Sequence, residues 1–200
     1  MTAAFAALAA LPAIVEPPRF TQEMLNWRTW LTPVAEEDFA EAQYDALVQR
    51  SRVKNEYFRL LAHDPAILRE RTKTDFDIFY SKGGLPRADR EIAATAASRL
   101  NGCVYCAAVH SGFATHHSKR RSDVQHLLDE GVSARIDPRW DAIVGATVAI
   151  SRTPPSFGEE ELARLRDAGL DDVEILDVIM SGAFFNWANR LMLSLGEPSY

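Results

Sequence analysis

The stretch that decides the fold runs from residue 90 to residue 114, REIAATAASRLNGCVYCAAVHSGFA. Its first eleven residues are alanine-rich and suit a helix that lets neighbouring helices come close. Asn101-Gly102 ends that helix, because glycine accepts the left-handed conformation that a helix stop requires. A second helix opens at about Cys103 and runs to about Thr115. Both cysteines of the chain, Cys103 and Cys106, therefore fall in the first turn of a helix, where free N–H groups and the helix dipole favour an anion. Positions 103, 106 and 110 stand at i, i+3 and i+7, on one face.

Working outward, nearly every long segment has a period of 3.6 and none alternates convincingly with a period of 2. Helices are expected over 36–51, with Phe39, Tyr44, Leu47 and Val48 on one side, and over 55–63. Asp64-Pro65 caps a helix that turns Ile67, Leu68, Phe76, Ile78 and Phe79 inward. Further helices are expected over 122–131 and 138–153. One over 156–169 opens with Ser156 and Glu159 as a capping box. The longest, over 171–196, carries Asp171 and Glu174 as another. The fold class is all-α, a single-domain helical bundle. Residues 1–35 form an N-terminal arm packing on a body of residues 36–200.

Composition narrows the function. The 200 residues are 47% hydrophobic and 25% charged, with a net charge of -6, so the chain is globular and poorly suited to nucleic acid. The short basic run SKRR at 118–121 reads as a loop or helix start. The apolar stretch 3–15 has no preceding positive charge and contains Pro12, which argues against a signal peptide, and it is too short to span a bilayer. A cytoplasmic protein without membrane partners is expected. Two cysteines are too few for a disulfide scaffold, and a lone C-x-x-C in a reducing compartment is more often catalytic or metal-binding.

The chemistry of that pair has several readings. A thiolate at a helix start is reactive, His110 next to Cys106 can move its proton, and two sulfurs at i and i+3 can close a disulfide. Buried thiols can also be simple small hydrophobes. Zinc needs four ligands, and no second ligand pair accompanies these two. A thioredoxin motif needs a strand before its helix, which this pattern does not supply. His116, His117 and His126 read as surface residues. Phe184, Phe185 and Trp187 read first as core, and Asn186, Asn189 and Arg190 as polar groups on a buried helix.

Residues 90–114 resemble the alkylhydroperoxidase D / carboxymuconolactone decarboxylase superfamily, in its peroxidase-related branch. The family pattern of Glu, eleven residues, Cys, two residues, Cys, three residues, His is met by Glu91, Cys103, Cys106 and His110. The downstream segment RLRDAGLDDVEILDVIMSGAFFNWANRL is similar to the family's closing helices. The resemblance implies an alkylhydroperoxidase D-like fold, reduction of a hydroperoxide by Cys106, resolution by Cys103 into a disulfide, and a Glu91–His110 proton relay. It implies an unidentified thiol or dithiol reductant, a homo-oligomer and no cofactor or metal. Tyr105 stands where the best-studied members have a second histidine; a phenol cannot act as a base at neutral pH but can donate a hydrogen bond, an auxiliary role. The alternatives are a carboxymuconolactone decarboxylase-like non-redox enzyme and a non-catalytic redox sensor.

Overall fold

The computed structural model describes residues 19–199, and the apolar stretch 3–15 lies outside them. Among the described residues the order is β1 (Asn26–Thr29), α1 (Glu41–Ala46), α2 (Glu56–Leu61), α3 (Pro65–Tyr80), α4 (Arg87–Leu100) and α5 (Val104–Ser118). There follow α6 (Arg121–Glu130), α7 (Pro138–Ser151), α8 (Glu159–Asp167), α9 (Asp172–Leu195) and β2 (Gly196–Ser199).

The alanine-rich helix is the axis of the molecule. Every residue of α4 from Asp89 to Ser98 is buried, flanked by α5, α7 and α9. Alanine at 93, 94, 96 and 97 permits that enclosure, because a helix with small side chains can be approached from all sides. Three charges in a row are buried with it, and each is paired, as burial demands. Asp89 accepts from Arg139 Nε and Trp140 Nε1 at 2.8 Å each. Arg90 donates to the carbonyls of Ile78, Gly83 and Leu85, to Ser81 Oγ and to Asp177, and so straps the turn between α3 and α4 onto α9. Glu91 belongs to the site described below.

The α4–α5 corner follows the sequence closely. Gly102 has φ +76°, and Cys103 N–H donates to Ser98 C=O at 2.9 Å, the bond that closes a Schellman helix stop. Cys103 then serves as N-cap of α5. At α9, Asp171 and Glu174 exchange the two hydrogen bonds of the expected capping box.

Four expectations are corrected. The helix over 36–51 is broken into short pieces: Gln43 Oε1 accepts the Ala40 N–H to start α1 afresh, and Val48 at φ +62° ends the run. The Ser156–Glu159 capping box is not formed, since Ser156 N–H donates back to Ala149 and α8 starts from Gly158, whose N–H meets Glu161. Ile67, expected inward, is 62% exposed, because the buried row of α3 runs through Leu68, Thr72 and Phe79 instead. Finally, β1 and β2 pair antiparallel, Trp27 opposite Pro198 and Thr29 opposite Gly196. Gly196 is needed there because a Cβ would stand 2.3 Å from Arg28 O and 2.4 Å from the Trp27 ring. The ribbon ties the segment before α1 to the C-terminus and seats Trp27 in the same apolar cluster as Cys103 and Cys106.

Candidate active site

The corner at Gly102 sets the thiols. Cys103 as N-cap and Cys106 three residues on bring their sulfurs to 2.9 Å, both free and both buried. Their ionisation is shared unequally. The Cys106 S–H directed at Cys103, assisted against burial by the Cys106 backbone N–H and by Asn189, holds the Cys103 thiol below its usual value. Cys106 moves the other way, well above the usual value, because it gives that hydrogen bond, is buried and adjoins Cys103; Asn189 and Arg71 oppose the rise. Within the pair, Cys103 is thus the more readily ionised sulfur and Cys106 the one that keeps its proton longer, as helix-start electrostatics favour.

One turn further along α5, His110 Nδ1 lies 2.6 Å from Glu91 Oε2. Glu91 is wholly buried, and its other oxygen accepts from Arg87 Nε at 2.6 Å, with Nη2 of the same guanidinium 2.5 Å away. With a carboxylate on Nδ1, the imidazole keeps its proton there and presents Nε2 as the basic nitrogen. Phe185 packs edge-on against the ring at 4.2 Å between centroids, and Phe79 lies on another side at 5.3 Å. The histidine is therefore oriented by both charge and packing.

Cys106 and His110 open into one cavity of about 320 Å³, walled by aromatic side chains. Cys103 does not line it. Tyr105 does, and accepts a hydrogen bond from Asn55 at 3.3 Å; burial raises its pKa, so the hydroxyl stays protonated. The sequence-expected residues thus form two contacting pairs, Cys103–Cys106 and Glu91–His110, on adjoining turns of α4 and α5. His116, His117 and His126 are exposed. Among the described residues no three His, Cys, Asp or Glu side chains gather into a metal-binding group.

Several residues at the site carried no functional signal in the sequence. Asn189, wholly buried on α9, donates to Ser98 Oγ at 3.0 Å, accepts from Asn101 at 3.1 Å and favours the thiolate of either cysteine. Its only trace was a polar residue on a strongly apolar helix. Arg52, Tyr57 and Arg71 also line the cavity, and Arg71 stands near enough to Cys106 to favour its thiolate. Phe185 was read as core; it is buried and is also a wall of the cavity.

Residues 65–149 match the model of the carboxymuconolactone decarboxylase family, the segment that holds α3 to α7 and the whole thiol corner. No curated protein sequence matches the chain. Among solved structures, an uncharacterized peroxidase-related protein with an alkylhydroperoxidase core from Ralstonia eutropha JMP134 superposes with a TM-score of 0.71 at 22% identity, over 86% of this chain and 90% of that one. An uncharacterized peroxidase-related protein from Silicibacter sp. TM1040 gives 0.68 at 20% identity, over 95% and 96%. The debrominase Bmp8 gives 0.66 at 17% identity, over 84% and 90%. The fold is the alkylhydroperoxidase D type, and residues 65–149, which hold the thiol corner, are similar to the carboxymuconolactone decarboxylase family.

Proposed function

We propose that this member of the alkylhydroperoxidase D / carboxymuconolactone decarboxylase superfamily is a thiol peroxidase that reduces organic hydroperoxides through a Cys103–Cys106 disulfide. The observation that carries the reading is the contacting thiol pair, of which Cys106 alone opens into the cavity shared with the Glu91-held His110. Cys103 is the more readily ionised of the two, but a peroxide in the cavity meets Cys106, so Cys106 must lose its proton before it reacts. His110 Nε2 takes that proton, and Glu91 stabilises the imidazolium that results. The Cys106 thiolate attacks the distal peroxide oxygen, forming an S–OH bond as the O–O bond breaks. The leaving alkoxide takes the proton back from His110 and departs as the alcohol. Cys103 then attacks the Cys106 sulfur, the disulfide forms, and hydroxide leaves and is protonated to water. Two electrons from an external thiol or dithiol restore the pair.

Tyr105 serves this cycle as a hydrogen-bond donor to the substrate oxygens, since its hydroxyl stays protonated. The cycle requires a reducing compartment, consistent with a cytoplasmic protein. A homo-oligomer is supported by Val173, Leu176, Met180 and Trp187, which form an exposed apolar stripe along α9; a solution mass equal to one chain would refute it. A second reading, reductive debromination of a small aromatic, is favoured by the aromatic walls and the shared fold of the debrominase. It draws on the same two thiol electrons, and bromide release with disulfide formation would reveal it.

The experiment is to treat reduced Cys103→Ser and Cys106→Ser variants with stoichiometric cumene hydroperoxide and a sulfenic-acid trap. The trapped adduct is expected on Cys106 in the first variant and absent from the second. Turnover that survives Cys106→Ser but not His110→Ala would replace the peroxidase reading with a non-redox, decarboxylase-like one. Oxidation that changes the oligomeric state without peroxide turnover would indicate a redox sensor.

A further inference from the structure

A deeply buried arginine ordinarily saturates its donors, and this chain holds one that does and one that does not. Arg90, with a side chain 2% exposed, reaches three carbonyls, a hydroxyl and a carboxylate, all within 2.9 Å. Arg71, 9% exposed, has Asp75 Oδ2 at 3.5 Å from Nη1, and neither Nε nor Nη1 finds a hydrogen-bond partner among the described residues. Arg52 leans on the same Asp75 oxygen at 3.9 Å, and its Nη1 is also without a partner there. Two largely buried guanidiniums thus share one carboxylate, at distances beyond good hydrogen bonds. Tyr57 Oη lies buried beside them, close enough to interact with Arg71 but in no hydrogen bond of good geometry, and burial keeps its hydroxyl protonated.

These groups line the cavity that holds Cys106 and His110. The third cation on its wall, Arg87, is already bound to Glu91. The cavity therefore carries one positive charge beyond its carboxylates, with four unmet polar atoms around it. Arg71 is held by ring faces, its guanidinium carbon 5.5 Å from the Phe184 centroid, 5.6 Å from Phe58 and 5.7 Å from Tyr57. Ring faces fix a guanidinium without consuming its N–H groups, leaving the fork free for a planar anion. Burial, opposed by Asp75, and the neighbouring Arg71 hold Arg52 below the ordinary arginine value, so an added anion relieves the site.

We propose that Arg52 and Arg71, with Tyr57, form a carboxylate subsite, and that the substrate is an organic hydroperoxide with an apolar body and one carboxylate. The single excess charge favours a monoanion, and the aromatic walls favour an apolar body over a free inorganic ion. The substrate class rests on the peroxidase reading; the subsite does not.

Calorimetric binding to the reduced protein tests the subsite without turnover, using 4-isopropylbenzoate and its neutral isostere 4-isopropylbenzamide. The benzoate is expected to bind at least about tenfold more tightly at low salt. Arg52→Gln and Arg71→Lys are each expected to cut that preference to about threefold or less. Arg52→Gln, at the less buried of the two arginines, guards against a variant that fails to fold. Equal binding of the two probes, or a preference that both variants leave intact, overturns the proposal. Inorganic phosphate that displaces the benzoate at equal concentration overturns the carboxylate assignment. In a parallel arm, cumene hydroperoxide is compared with its para-carboxylate as oxidant of the thiols, and the carboxylate is expected to react faster at low concentration. If neither peroxide reacts while the binding preference holds, the peroxidase reading falls and the subsite stands. If both react alike and the probes bind alike, the subsite falls and the peroxidase reading stands.

Discussion

Replacing Glu91 by Gln probes the site and the core together. The carboxylate is wholly buried, hydrogen-bonded to Arg87 Nε and His110 Nδ1, and ion-paired with Arg87 Nη2 as well. Glutamine keeps one acceptor oxygen but turns an N–H₂ toward a donor on its other side. A hydrogen bond to a charged group contributes about 1.5–3 kcal/mol, and stripping one partner from a buried ion pair costs about 3–5 kcal/mol. Arg87 softens the loss, because its side chain is 18% exposed, donates to Phe79 C=O at 3.0 Å and lies 4.2 Å from the Tyr80 ring centroid. The net cost is therefore set at about 3 kcal/mol, near the low end of that range. For a chain of this size it lowers Tm by about 6–12 °C. The imidazolium of the proposed cycle also loses its counter-charge, and peroxide-driven loss of thiols is expected to slow about a hundredfold. Differential scanning calorimetry and a stopped-flow thiol assay read the two effects. A Tm within about 2 °C of wild type together with an unchanged oxidation rate would refute the reasoning.

Other perturbations follow from single positions. Cys106→Ala removes the S–H that stabilises the Cys103 thiolate, so the midpoint of Cys103 ionisation moves up. Between the old and new midpoints, iodoacetamide should therefore alkylate Cys103 more slowly; a faster reaction there would reverse the assignment of the shared proton. Gly84→Ala should destabilise by about 1–3 kcal/mol in urea unfolding, since φ is +65° and the new Cβ would stand 2.2 Å from the Asp177 oxygen that holds Leu85 N–H and Arg90. Gly182→Ala should instead stabilise by up to about 1 kcal/mol, because its Cβ meets Ile150 and Thr147 at an ordinary 3.5 Å inside a helix. A loss of stability at that position would show that α7 and α9 pack more tightly than these distances indicate.

The sequence was most informative where physical constraints are local. Asn101-Gly102 and the alanine run before it fixed the helix stop, the hairpin between α4 and α5 and the helix-start position of Cys103, because each depends on a few neighbouring residues. The partnership of Glu91 with His110 was legible only through the family spacing. Taken alone, Glu91 reads as a partner of Arg87, which it also is. The β-ribbon escaped because four-residue strands, one holding Pro198, are too short to display a period and pair across nearly the whole chain. Arg52, Tyr57 and Arg71 escaped for a similar reason: three separate turns on different elements converge on one cavity, and no spacing in the sequence encodes that meeting. Val48 and Gln43 broke a helix that hydrophobic periodicity had drawn as continuous, since periodicity reports a shared face but not a local cap.

The most direct test of the central claim is a titration of the fully reduced protein with an organic hydroperoxide, without any added reductant. Free thiols are counted and the peptides carrying Cys103 and Cys106 are identified by mass spectrometry. The account predicts that one equivalent of peroxide consumes both thiols, yields the corresponding alcohol and joins the two cysteines within one chain. Two free thiols surviving an excess of peroxide that fully oxidises a control peroxiredoxin would contradict it.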